Sequence, residues 1–250
     1  MNISNKTVLV TGGGSGIGFE TAKVLSEKGN RVIIVGRNEA KLQLAAKQLN
    51  NVTAIACDIS VQADVENLVK QVQDNFSDLS VLVNNAGAAY AYQLTAGANA
   101  FDKASEEMLV NYLSLVRLTE ALLPGLSKQK EAAIVNVSSI VVFAAGVTIP
   151  TYSASKAAVH SYTQSLRHIL AKDTNIKVFE LMPPLVNTDF SKEIGGENGI
   201  PARDVAETLI AALEKNEYEI HVGMTAQLYQ LFLSSPENAF KALNQVEASA

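Results

Sequence analysis

Short aliphatic runs alternate with longer amphipathic stretches along this chain, and that alternation limits its fold more than any other feature. The runs at 7–11, 31–35, 52–57, 81–83, 133–137 and 176–181 read as strands, nearly continuous in Val, Ile, Leu and Ala. Strands without a polar face must be covered on both sides, the pattern of a parallel sheet. Between them 17–28, 38–49, 61–76, 101–127 and 152–171 read as helices, and a further helix at 201–213 opens on Pro201, a residue suited to a first turn. Parallel neighbours need right-handed crossovers, so the order implies an α/β fold: a doubly wound, mostly parallel sheet in three α/β/α layers. A short strand is expected near 219–222. The tail at 223–250 carries Leu228, Leu231, Phe232 and Phe240 at helical spacing, read as a docked helix or subunit contact rather than a lid. No linker and no repeat of roughly 20–50 residues divides the run, so 1–250 is expected to be a single domain.

A chain of 250 residues can bury a full core without staples. Its net charge of −5 argues against a nucleic-acid partner, which calls for a basic face. Cys57 is the single cysteine, and with His160, His168 and His221 it makes no cluster of metal-ligand spacing, so no metal is expected. The first ten residues lack the order of a cleavable leader. The weakly polar run at 132–150 is broken by Asn136, Ser138, Ser139 and Thr148, short of a membrane span. A cytoplasmic protein without membrane contact is the expectation.

Thr11-Gly12-Gly13-Gly14-Ser15-Gly16-Ile17-Gly18 joins the first strand to the first helix. A diphosphate can approach a helix N-terminus only where side chains are absent, and there free N–H groups and the helix dipole stabilise its charge. Gly12, Ser15, Gly16, Ile17 and Gly18 are therefore candidate dinucleotide contacts of a Rossmann fold, although the spacing is not the commoner G-x-G-x-x-G. The alternative is a tight turn without a ligand. The second strand ends at Gly36 and Arg37, with no acid before Glu39. An acid there would accept from the ribose hydroxyls of NAD, whereas an arginine pairs with the 2′-phosphate of NADP, so NADP(H) is expected over NAD(H). Asp58, followed by Ile59, stands just past the third strand, to touch the adenine or to cap a helix.

Tyr152-Ser153-Ala154-Ser155-Lys156 is the most informative stretch. Tyrosine and lysine four apart share one helix face. A free phenol titrates near about 10, and a neighbouring cation lowers that value, so a partly desolvated Lys156 together with the cofactor's own charge is expected to make Tyr152 an acid or base near neutrality. The fifth strand runs out at Asn136-Val137-Ser138-Ser139, where such sheets bind ligands, and a serine hydroxyl there can steady a developing charge on oxygen.

Taken together, these stretches resemble the short-chain dehydrogenase/reductase family in its compact single-domain branch. The matching motifs are T-G-x-x-x-G-I-G at 11–18, N-N-A-G at 84–87, Asn111, the serine pair at 138–139 and Y-S-A-S-K at 152–156, in the family's order. The resemblance implies a catalytic tetrad of Asn111, Ser139, Tyr152 and Lys156, with Asn111 supporting a water linked to Lys156, and Lys156 also contacting the nicotinamide ribose. It implies that Asn84, Asn85, Ala86 and Gly87 shape the turn beneath the cofactor, and that Pro183, Val186 and Thr188 hold the carboxamide. Where the family has Pro-Gly after the sixth strand, this chain has Pro183-Pro184, which removes a donor and stiffens the loop. The Pro-Pro-Leu-Val run is similar to the family's DltE-like subset.

Tyr90, Ile140, Val141, Phe143, Leu185 and Phe190 are expected to flank a mostly apolar site, which suits a non-ionic ketone, aldehyde or secondary alcohol. The loop at 183–200 is the expected substrate loop, with its glycine-bearing part at 189–199 able to close and exclude water. A homodimer or homotetramer is implied by the resemblance. The rival reading is a sensor or scaffold that binds NADP(H) and catalyses nothing, because fold alone does not exclude it. An epimerase or dehydratase would need a larger substrate domain than this length allows.

Overall fold

In each aliphatic run, side chains alternate between two faces, and both faces are buried. Val8 and Val10 point one way and Leu9 the other; Val32 and Ile34 oppose Ile33 and Val35. A computed structural model describes residues 1–245 and shows what covers them. The elements run β1 (Thr7–Thr11), α1 (Gly16–Glu27), β2 (Arg31–Gly36), α2 (Glu39–Ala46), β3 (Val52–Ala56), α3 (Gln62–Asn75), β4 (Leu79–Asn84) and α4 (Ala100–Glu107). A π-helical turn (Met108–Leu113), α5 (Ser114–Leu126), β5 (Ala132–Val137), α6 (Pro150–Asp173) and β6 (Ile176–Met182) follow. The chain ends with β7 (Val186–Asn187), β8 (Ile200–Pro201), α7 (Ala202–Lys215), β9 (Glu219–His221), α8 (Met224–Ser234) and α9 (Pro236–Asn244).

Seven strands form one sheet in the order β3-β2-β1-β4-β5-β6-β9, every neighbouring pair parallel. Side chains of α1, α2 and α7 cover one face, and those of α3, α5 and α6 the other. The three-layer, doubly wound α/β architecture is the one expected. The strand order reverses between β1 and β4, and this switch point opens a crevice past the carboxyl ends of the strands. None of the described helices is long and apolar enough to cross a membrane.

Two expectations are corrected. The helix at 101–127 is broken by the π-helical turn, in which the Ser114 N–H reaches back five residues to Leu109 O. One inserted residue leaves the apolar spacing almost unchanged, so periodicity does not reveal it. Pro201 stands before its helix with ψ 139°, paired with Asn187 in the β7–β8 ladder. Pro150 instead takes the first-turn position, and α6 starts two residues ahead of Tyr152. The tail is indeed two docked helices, but it also walls the crevice: Met224, Leu243 and Asn244 border it. Asn244 pins the tail by accepting from Val147 N at 2.8 Å and donating to Ala145 O at 2.9 Å. Residues 246–250 of the expected tail lie outside the described residues.

A buried polar ladder sets the sheet against its helices. Asn84 Nδ2 donates to Asn136 Oδ1 at 2.9 Å and to Thr119 Oγ1 at 3.1 Å. Asn136 Nδ2 donates to Thr163 Oγ1 at 2.9 Å, which donates to Val159 O at 2.7 Å. Asn136→Ala should therefore destabilise the fold by about 2–4 kcal/mol, because buried partners are left unpaired. Thr163→Val should cost about 1 kcal/mol, and urea unfolding of both variants checks the ranking.

Candidate active site

The crevice holds a cleft of about 500 Å³. Its floor is the turn between β1 and α1. A Cβ on Gly18 would lie 2.3 Å from Gly12 O, and one on Gly12 2.9 Å from Asn85 Nδ2, so neither position admits a side chain. Gly16 has φ +54°, a left-handed conformation that favours glycine. Ser15 is the N-cap of α1 but makes no side-chain cap, which leaves the first-turn N–H groups facing the cleft without a side-chain partner. Thr11 locks the opposite wall: its hydroxyl accepts from Asn85 N at 2.9 Å and Ala86 N at 3.0 Å. Asn85 Nδ2 donates back to Thr11 O at 2.9 Å. A bare, donor-rich cradle of this kind fits the diphosphate of a dinucleotide.

The end of the cleft that holds Tyr152 and Lys156 is built by α6. Its buried positions include Tyr152, Lys156, Val159, Thr163, Leu166 and Leu170, spaced four, three, four, three and four apart. Tyrosine and lysine thus occupy the upper end of a core-facing stripe, one turn apart. Tyr152 is 9% exposed and Lys156 4%. Burial pushes the Tyr152 phenol up to about 12, against the opposing effect of a hydrogen bond with Ser139, and the Glu107 charge adds to the rise. Burial brings the Lys156 ammonium down to about 8, with Glu180 acting the other way. Lys156 by itself does not lower the phenol. The ammonium lies 5.7 Å from the Tyr152 ring centroid and donates to Val137 O at 2.8 Å, so desolvation dominates.

Ser139 is extended and its Oγ accepts from Val141 N at 3.4 Å, at the start of a short helical turn over Ile140–Val142. Asn111 lies in the π-helical turn, 2% exposed. Its Oδ1 accepts from Ala88 N at 2.7 Å, and its Nδ2 donates to Ala88 O at 2.9 Å and Ser155 Oγ at 2.8 Å. This side chain clamps the loop after β4 to α6. A Cβ on Gly87 would lie 3.1 Å from Asn111 Oδ1 and 3.8 Å from Lys156 Nζ, which puts these residues around one point.

Of the residues expected from sequence, Gly12, Ser15, Gly16, Ile17, Asn85, Ala86, Gly87, Ser139, Tyr152, Lys156, Pro183, Val186 and Thr188 border the cleft. Gly18, Arg37, Asp58, Ile59 and Asn111 do not border it. Arg37 is exposed at the end of β2, and Ile59 is buried in the core. Asp58 accepts from Ser60 N at 2.9 Å and does not cap α3, whose N-cap is Val61. Of the expected flanking residues, Ile140, Val141, Leu185 and Phe190 line the cleft. Tyr90 and Phe143 do not: the Tyr90 hydroxyl donates to Glu106, and Phe143 packs against His160, His221, Tyr229 and Phe232. Pro184 disturbs nothing by lacking a donor, since the loop is held through carbonyls: Pro183 O accepts from Ile140 N at 2.9 Å and Leu185 O from Ile200 N at 3.0 Å.

Residues 6–199 match the short chain dehydrogenase family. The chain is a short-chain dehydrogenase/reductase. It is 39% identical, over 206 residues covering 82% of this chain and 81% of the relative, to the uncharacterized oxidoreductase DltE of Bacillus subtilis. A short-chain dehydrogenase from Burkholderia cenocepacia, solved in complex with NADP, superposes with a TM-score of 0.84 at 28% identity, over 97% of this chain and 98% of that one. A short-chain dehydrogenase/reductase from Burkholderia phymatum, solved with NAD, gives 0.88 at 20% identity over 100% and 99%, a likeness of fold. The protein is an oxidoreductase of an NAD(P)-binding family.

Sequence reasoning missed Glu107 and Glu180, both fully buried. Glu107 Oε1 accepts from Tyr90 N at 2.8 Å, and burial raises its pKa above the ordinary 4.5. Glu180 accepts from Ser138 Oγ and, at 2.9 Å, pairs with His160 Nδ1. A glutamate within an otherwise apolar strand was the signal available for Glu180; Glu107, in an amphipathic helix, gave none. Hydrogen bonding to Glu180 raises the His160 pKa above its ordinary 6.5. A raised folded value means that this pair's stabilisation is complete below pH 6.5 and fades as the pH rises through the folded value. The melting-temperature gap between the wild type and His160→Gln should therefore be widest below pH 6.5 and narrow as the pH rises above it, as a pH series of thermal melts would read.

Proposed function

We propose that this enzyme moves a hydride between NADP(H) and a non-ionic carbonyl compound or secondary alcohol, with Tyr152 as the acid/base. The observation that carries the reading is the buried Tyr152 phenol, one turn from Lys156 on α6 and bordering the same cleft as Ser139 just past β5. A phenol pushed up to about 12 keeps its proton at neutral pH, which suits donation to the more basic alkoxide formed when a carbonyl is reduced. Ser139 would hold the substrate oxygen beside it, and Asn111 would keep the floor of the site rigid through Ala88 and Ser155.

When bound, the dinucleotide supplies or accepts the hydride. Gly12, Ser15, Gly16, Ile17 and Gly18 would take its diphosphate, and Asp58 and Ile59 the adenine end. Asn85, Ala86 and Gly87 would lie beneath it, Tyr152 and Lys156 would meet the nicotinamide ribose, and Pro183, Val186 and Thr188 the carboxamide. Exposed Arg37, next to Gly36 and without an acid before Glu39, supports NADP(H) over NAD(H). Among the described residues that border the cleft, Lys156 and Asp189 are the only charged ones, which supports a neutral substrate.

The reading carries residues 1–250 as one cofactor-binding domain, with 183–200 as its substrate loop, from which Phe190 leans to within 6.1 Å of the Tyr152 ring. It includes a homodimer or homotetramer, supported by exposed Phe101, Leu113 and Ile169 on the helices that the family uses for assembly. A cytoplasmic location is part of it too: Cys57 is a buried free thiol, pushed up to about 12 by burial and so unreactive.

The test follows reduced-cofactor absorbance with a panel of ketones, aldehydes and quinones. Turnover should favour NADPH, and Tyr152→Phe should lower kcat by about 10²- to 10⁴-fold with cofactor affinity kept. Tight cofactor binding without turnover on any substrate would favour the sensor. Arg37→Ala should weaken NADPH about tenfold and leave NADH unchanged; equal affinity of the wild type for both would end the NADP(H) assignment.

A further inference from the structure

Lys156 is an ammonium in a site that is 4% exposed, and its one described hydrogen bond is to a neutral carbonyl, Val137 O, at 2.8 Å. A buried cation held only by a carbonyl is expensive unless a countercharge lies near. The residue after Val137 supplies the connection. Ser138 donates its hydroxyl to Glu180, whose carboxyl is fully buried on β6, and His160, one turn beyond Lys156 on α6, pairs with the other oxygen at 2.9 Å. Sheet register sets Asn136 opposite Glu180 and Val137 opposite Leu181, so the carboxyl lies beside the strand end that holds the ammonium.

We propose that Glu180, clamped by Ser138 and His160, is a positioning residue that serves as the buried countercharge of Lys156. The inference rests on the reading of Lys156 as part of the catalytic site. The Glu180 charge acts on Lys156 against the effect of burial, and among the described residues no other group opposes that effect. The charged and titratable groups around this carboxyl assign themselves to other partners. From α6, Arg167 binds Glu219 at 3.0 Å and Val178 O at 2.9 Å. From β9, Glu219 is taken by that arginine, and His221 is held below its ordinary pKa by burial and packs on Tyr229. His160 is the member of the clamp that meets solvent, its side chain 21% exposed. Glu180 is thereby tied to a group that titrates, while Lys156 stays buried at the wall of the cleft.

The lysine can be titrated directly in the full-length protein, without cofactor or substrate. Lysine side chains labelled with ¹³C at Cε are followed by NMR against pH, and the Lys156 signal is the one missing from Lys156→Met. The wild-type midpoint should fall near 8. Glu180→Gln keeps the shape and removes the charge, and should lower the midpoint by about one pH unit. His160→Gln removes the partner but leaves the carboxylate, and its midpoint should not fall. An unmoved midpoint in Glu180→Gln, or an equal fall in both variants, would overturn the proposal, because a merely structural role would give one or the other. If Glu180→Gln does not melt cooperatively, Glu180→Asp takes its place: retracting the charge by one methylene should lower the midpoint less, and no change would again overturn it. The titration needs no turnover, so its failure is distinct from failure of the reductase reading.

Discussion

A parallel sheet covered on both faces has one place to present chemistry, the open edge past the carboxyl ends of its strands. Every residue of β1, β4 and β5 and the four central residues of β2 are buried, and polar groups there must be paired or excluded. The few polar residues that do enter are paired with one another: Asn84 with Asn136, Asn136 with Thr163, Thr11 with the turn after β4. These pairs hold the strand ends to α5 and α6 at fixed depth. The glycine turn, Ser139 and the Tyr152 stripe converge because each is tied to that same edge.

Burial that builds the site also sets its acid–base character. The phenol of Tyr152 and the ammonium of Lys156 move in opposite directions, one up to about 12 and the other down to about 8, since desolvation penalises whichever form is charged. The two groups, ordinarily close in proton affinity at 10.0 and 10.5, are driven apart, with the phenol now the weaker acid. Two buried carboxyls take part: Glu107 raises the phenol further, and Glu180 restores part of what burial takes from the lysine. In a buried site a carboxyl acts on its neighbours through a low dielectric, so its charge is felt without direct contact.

The fold class was legible because two-sided burial leaves a compositional mark: runs of Val, Ile and Leu without alternation, separated by helical stretches. The cradle was legible for a similar reason, since only glycine permits the approach of Gly18 to Gly12 O and of Gly12 to Asn85. Tyr152 and Lys156 were legible through their spacing. Tyr90 and Phe143 were misjudged because an aromatic near a strand end looks alike whether it lines a cleft or fills a satellite core. The π-helical turn was hidden since one extra residue barely alters an apolar period, yet that turn positions Asn111 against Ala88 and Ser155.

By itself the sequence determined the layers, the glycine cradle, the tyrosine–lysine pair and the family they resemble, because each rests on local spacing or on residue size. Tertiary structure alone decided which way the pKa values move, that α8 and α9 wall the cleft, and that Glu180 meets Ser138 and His160. Those outcomes depend on how deeply a group is buried and what stands across from it. Chain positions 138, 160 and 180 come together only when β5, α6 and β6 pack, and no local pattern records that packing.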